Sequence, residues 1–169
     1  MLETEVKRHA AEAIRQSRVR ICRCLDLLEP EEIWKDFNAN LVSVGNLILH
    51  LMGNISQHVL SGLGHVAYTR QRDREFSDKP GMGRAELLAR LGRITDEAVQ
   101  VIEGLRTEDL ARRYIAQGRE CSGAEDLMAV VEHLSYHTGQ ITFAVKYLKN
   151  LDVGYYAGVD LNQQNRSLG

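Results

Sequence analysis

The chain has 169 residues, with 21 Lys plus Arg against 23 Asp plus Glu and a formal net charge of −2. That balance argues against a dedicated nucleic-acid binder, which carries a clear basic excess. A hydrophobic share of 44% with 26% charged residues is that of an ordinary globular domain, and no apolar run is long enough to span a bilayer. The opening MLETEVKRHAAEAIRQ is charged and lacks an apolar signal core, so the expected location is cytoplasmic, with no membrane and no nucleic-acid partner.

Four long segments carry helical period. The first runs from about Glu3 to Leu28, where Val6, Ala10, Ile14, Ile21 and Leu25 make one stripe, and Glu29-Pro30 ends it. The link that follows holds Trp34 and Phe37, expected to plug one end of the core. The second helix spans about Ser43 to Ser61, with Ser43 as its N-cap and Gly62 and Gly64 past its end. A charged connection follows from Leu63 to Met82, long enough to cross a bundle or to carry function. The third helix covers about Arg84 to Leu105. Residues 106–122 form a second long connection, with a short helical turn near Glu108. The fourth helix covers about Gly123 to Leu151, on a stripe of Leu127, Val130, Leu134, Ile141, Val145 and Leu148. Residues 152–169 are expected to be a loop-like tail that frays. The pattern is that of one all-α domain over residues 1–169, a four-helix bundle with its core in about 3–151. The long second link lets helices two and three run parallel, giving up-down-down-up order.

Cysteines 22, 24 and 121 are an odd number, expected to be free thiols in a reducing compartment. The six histidines are more informative. His133 and His137 are four apart in HLSYH, so both rings leave one helix face. His50 sits in NLILHLMGN, next to its own core stripe. Three large polar rings near a core need partners, and one shared cation would satisfy them together. Helix rise puts His50 roughly 17 Å before the end of helix two, and the His133/His137 pair roughly 18 Å after the start of helix four. In antiparallel helices those depths coincide. HLSYH lacks the glutamate that a zinc peptidase carries after its first histidine, because Leu134 stands there. His9, His58 and His65 have no partner at ligand spacing and read as structural.

The stretches SVGNLILHLMGNISQHVLSGLG, RQRDREF, AELLARL and VVEHLSYHTGQITFAVKYL resemble the DinB-like superfamily of metal-binding four-helix bundles. Within it the chain is similar to the branch known as DUF1572, over roughly residues 5–156. The resemblance implies an up-down-down-up bundle, often a homodimer, with a metal triad at His50, His133 and His137. It implies a divalent ion such as zinc or nickel, with iron and manganese as further candidates. Some members of the superfamily are thiol S-transferases or isomerases that use bacillithiol or mycothiol; many have no established reaction.

Three neutral histidines leave a coordination position open, as in catalytic rather than structural zinc sites. Water bound there becomes more acidic, and a thiol bound there ionises and can attack an electrophile. The expectation is a metal-dependent thiol S-transferase or hydrolase acting on a low-molecular-weight thiol or small electrophile. The alternative is a non-enzymatic, dimeric metal-binding bundle with a structural, sensing or stress-related role. No catalytic residue is assigned. Asn46, Asn54, Tyr136 and Gln140 lie within helical reach of the triad and are candidates to orient it. Arg70, Arg72 and Arg74 in the long loop are candidates to hold a carboxylate or phosphate.

Overall fold

The computed structural model describes residues 2–166. Helix α1 spans Leu2–Asp26, and the single turn α2 spans Pro30–Ile33. Helix α3 covers Val44–Ile55 and continues into a π-helical stretch over Ser56–Leu63. The short α4 (Arg72–Ser77) precedes α5 (Arg84–Gly104) and the short α6 (Thr107–Ala111). Strands β1 (Arg113–Ala116) and β2 (Arg119–Ser122) form an antiparallel hairpin that leads into α7 (Gly123–Lys149).

The four long helices have the order expected from the pattern. Lys7 reaches the Leu105 carbonyl, Arg15 meets Glu103 and Arg18 meets Asp96, so α1 and α5 run antiparallel. Cys24 near the end of α1 lies beside Thr142 near the end of α7, and Glu32 of α2, just past α1, pairs with Lys149 at the end of α7, so α1 and α7 run parallel. His50 lies against His133 and His58 against Asp126, so α3 and α7 are antiparallel. The bundle is up-down-down-up, and one continuous core of Ile14, Ile21, Leu25, Ile48, Leu51, Leu91, Leu127 and Ile141 fills it. No helix among the described residues is long and apolar enough to cross a membrane.

Local chemistry explains the boundaries. The Ser43 hydroxyl accepts from the Asn46 N–H, as an N-cap should. Ser122 and Glu125 form a reciprocal capping box at the start of α7. Asn150 closes α7 in the left-handed region at φ 50°, which asparagine tolerates. Trp34 fits against Gly45 and donates to the Met82 carbonyl at 2.9 Å, fixing the end of the core as expected of it.

Three features differ from the sequence-based expectation. The link over 63–82 contains α4, which docks on α3. The link over 106–122 contains not only the helical turn, here α6, but a hairpin whose Gln117-Gly118 turn has φ of 49° and 79°, the two positive values a tight hairpin turn of this type requires. The first part of the tail does not fray: Val153 is buried, Arg23 donates to the Gly154 carbonyl, and the Tyr155 hydroxyl meets Thr142 at 2.8 Å. The end of that tail, 167–169, lies outside the described residues.

Candidate metal centre

His50 projects from the middle of α3, and His133 and His137 from successive turns of α7. The rings converge through their Nε2 atoms, 3.0 Å between His50 and His133 and 3.2 Å between His133 and His137. One ligand atom from each of the three lies within 4.8 Å of the others, and among the described residues no fourth His, Cys, Asp or Glu joins the group. Nitrogens about 2.0–2.1 Å from a tetrahedral ion stand roughly 3.3 Å apart, so the spacing fits one cation.

The outer nitrogens are oriented from behind. His50 Nδ1 lies 2.8 Å from Glu75 Oε2, and His137 Nδ1 lies 2.6 Å from Gln140 Oε1. Each acceptor fixes the ring proton on Nδ1 and turns the Nε2 lone pair toward the centre. Burial lowers all three ring pKa values. It pushes His133 down to about 4, helped by the neighbouring His137 and His50. His50 is lowered by burial against the opposing bond from Glu75, and His137 by burial against the bond to Gln140. The rings are therefore neutral near pH 7, the form that binds a metal.

Glu75 was not legible in the sequence, where it is one of several charges in RQRDREF. It reaches His50 because α4 folds back onto α3. Arg70 pins it through Nε–Oε1 and Nη2–Oε2 contacts of 2.7 Å each, with both side chains almost completely buried. A Cβ on Gly53 would fall inside van der Waals contact of Glu75 Oε1, so only glycine lets this carboxylate lie on the helix surface. A glycine one turn after a core histidine is the signal that could have marked the contact.

The candidate orienting residues separate. Gln140 touches His137. The Tyr136 ring stands edge-on to His137 at 4.9 Å between centroids, but the side chain is 63% exposed. Asn46 does not reach His50; its Nδ2 donates to the Glu75 and Asp78 carbonyls, tying down the end of α4 and so the backbone that carries Glu75. Asn54 also makes no bond to His50, and its Oδ1 is buried without a partner. The three arginines do not form an anion clamp. Arg70 is turned inward, its donors taken by Glu75, Gln57 and the His50 carbonyl. Arg74 pairs with Asp78, and Arg72 lies over the Phe76 ring. A buried carboxylate outcompetes a solvated guest for Arg70, which is why the loop's apparent basic cluster dissolves on folding. The cysteines are free thiols, and burial raises Cys22 and Cys24 above the ordinary thiol range, which keeps them protonated.

A family profile described as "Protein of unknown function (DUF1572)" matches residues 3–156. The chain belongs to the DUF1572 family. Two crystal structures share its fold. One is a DinB-like protein from Bacillus cereus ATCC 10987, 19% identical, with a TM-score of 0.67 over 85% of this chain and 93% of that one. The other is the DinB-like protein YjoA from Bacillus subtilis, 14% identical, with a TM-score of 0.68 over 88% of this chain and 97% of that one. Among curated proteins the chain finds no match. The profile establishes the DUF1572 family, the two structures establish that the chain has the all-α bundle fold of these DinB-like proteins, and the three-histidine cluster is a constellation that suits a divalent metal ion.

Proposed function

We propose that the protein is a metal-dependent enzyme that uses the His50–His133–His137 centre to activate a thiol or water, as an S-transferase or a hydrolase. The observation that carries this is the convergence of three neutral imidazoles with no fourth protein ligand in the group. A divalent ion held there would supply Lewis acidity, favouring the ionised form of a thiol or water brought to it. The chain's own residues do the preparatory work. Glu75 and Gln140 hold two ring protons on the outer nitrogens, Arg70 holds Glu75, and Asn46 holds the backbone of Glu75. The surrounding core keeps the rings neutral by excluding water.

Metal analysis of protein purified without a nickel column tests the centre, with about one ion per chain expected. Titration of the cobalt-substituted protein with cysteine tests the thiol arm; a changed visible spectrum supports it. A chain that takes up no divalent ion, or a cobalt spectrum indifferent to thiols and to hydrolysable esters alike, removes the enzymatic reading.

The alternative, a non-enzymatic dimeric bundle, draws on one observation. Leu41, Tyr136, Phe143 and Tyr147 line a shallow apolar groove and are each more than half exposed. An exposed apolar patch of this kind is commoner at association surfaces than on a free one, and a second copy of the chain is its proposed occupant. Sedimentation of the wild type and Phe143→Glu tests it: a dimer that the substitution splits is expected, and a monomeric wild type overturns it.

A further inference from the structure

On the far side of His133 from the triad centre lies a second constellation. A cavity of about 350 Å³ is bounded by Asn54 and His58 from α3 and its π-helical extension, by Ala116, Gln117 and Arg119 from the hairpin, and by Asp126, Ala129, Val130 and His133 from α7. Its volume is at the small end of ligand sites. His58 Nδ1 lies 2.9 Å from Asp126 Oδ1, and the Tyr114 hydroxyl donates to Asp126 Oδ2 at 2.7 Å. Burial works to raise the Asp126 carboxyl, but the bonds from His58 and Tyr114 outweigh it and keep it below the ordinary carboxylate range. The carboxylate thus fixes the His58 proton on Nδ1 and leaves Nε2 as an acceptor, with no protein partner among the described residues. Two more polar atoms on the cavity's lining residues are unpartnered and sealed from solvent: Asn54 Oδ1, on a side chain 8% exposed, and His133 Nδ1. Leaving such atoms unmatched costs about 1–3 kcal/mol each.

We propose that this cavity is a binding site for a small N-acylated amino acid, coupled to the metal centre through His133. Once His133 Nε2 faces the centre, its ring proton sits on Nδ1 and asks for an acceptor. The guest's acyl carbonyl supplies it once a small turn of the ring brings Nδ1, which has almost no exposure of its own, to the cavity wall. The guest's N–H answers Asn54 Oδ1, whose amide turns about a soft terminal torsion to meet it, and His58 Nε2 stands beside it as a second acceptor. The guest's carboxylate pairs with Arg119 at the mouth, while Ala116, Ala129 and Val130 cover its carbon. Asp126 keeps its negative charge, held back by the bonds from His58 and Tyr114, and Arg119, which also acts on Asp126, offsets that charge for the guest's carboxylate. An acceptor behind a ligating imidazole strengthens it as a ligand, so guest and metal each raise the other's affinity by the same factor. The coupling rests on the metal reading above; occupancy of the cavity does not.

The probe is N-acetylglycine, added to the metal-free and zinc-loaded protein and followed by calorimetry and by side-chain amide NMR. Saturable binding is expected, weakened about tenfold or more by Asn54→Leu, the loss of one buried hydrogen bond. Arg119→Gln, at an exposed position, is expected to weaken N-acetylglycine but not the uncharged N-methylacetamide. Zinc affinity is expected to rise about fivefold or more at saturating probe, with probe affinity rising equally at saturating zinc. Binding that both substitutions weaken in a chain that takes up no zinc supports the cavity and fails the metal reading. Zinc uptake with no probe binding, or with binding indifferent to both substitutions, overturns the cavity. Binding without reciprocal coupling overturns the link through His133.

Discussion

Helices α3 and α7 carry two histidine sites on one seam, built in opposite ways. At His50, His133 and His137, nitrogens face nitrogens: three Nε2 atoms crowd one point with no acceptor among the described residues other than one another. At His58, about two turns along, a nitrogen faces a carboxylate, which a tyrosine hydroxyl caps from the other side. At the second site the Asp126 carboxylate is engaged from both sides by protein hydrogen bonds, and what is left over faces the cavity: His58 Nε2 and Asn54 Oδ1. The first has no such anion, and three neutral rings cannot each donate to and accept from the other two. The same residue type at the same interface is thus structural where an anion meets it and unfinished where only other imidazoles do. The difference predicts opposite responses to mutation.

The largest effect falls on the triad. His137→Ala should take metal stoichiometry from about one ion per chain to none, measured by elemental analysis after chelator washing, while folding is retained because the ring is only partly buried. Unchanged stoichiometry would remove the assignment. Glu75→Ala comes next. Losing the acceptor behind His50 should weaken metal binding about 10–100-fold in a chelator competition. It should also destabilise the metal-free fold by about 3–5 kcal/mol in denaturant titration, because Arg70 is left charged, buried and unpaired. Glu75→Gln keeps an acceptor for His50 and separates the two effects: most of the metal affinity should return.

What the sequence made readable follows the same divide. Helical period exposes residues that repeat, so the four long helices and their order could be read, and with them the depth match that brings His50 to His133 and His137. Contacts made by segments without period could not. Glu75 sits in a charged run that looks solvated, and only the docking of α4 over Gly53 brings it to His50. The same docking consumes Arg70, which looks free in the sequence. Asp126 looks like a first-turn acidic residue of α7, and its pairing with His58 depends on the wider π-helical turns that no apolar stripe announces. Asn46 and Asn54 lie about one turn either side of His50, yet a helix turn brings side chains near one another without dictating what they face.

Gly53→Ala probes the packing that puts Glu75 in place. The new methyl must displace the Glu75 carboxylate, so a cost of about 1–3 kcal/mol is expected, with a parallel loss of metal affinity. Stability lost with metal affinity intact would show that Glu75 does not govern His50. Acid gives a milder test. The three rings are held below their ordinary pKa in the fold, His133 at about 4. From about pH 6.5 downward the unfolded chain therefore binds protons that the folded chain refuses. Stability of the metal-free protein should be full above that pH and fall steadily toward pH 4, seen as a declining denaturation midpoint. Bound metal should steepen the loss, because protons and the ion compete for the same nitrogens.

The smallest effect belongs to the site built on Asp126. Tyr114→Phe removes the hydroxyl that donates to Asp126 and leaves the ring in its packing. The Asp126 carboxylate keeps its His58 partner, so the cost should be about 1 kcal/mol, the net worth of one hydrogen bond. Metal affinity in the absence of any small ligand should not change, since Tyr114 touches none of the three convergent rings. His58→Gln belongs beside it as a control, because it removes the imidazole while leaving Asp126 a donor. If either substitution alters metal stoichiometry, the two histidine sites are one network, and the separation drawn between them fails. If both leave the ion in place while the triad substitution releases it, the boundary between the structural and the unfinished imidazoles lies between His58 and His133.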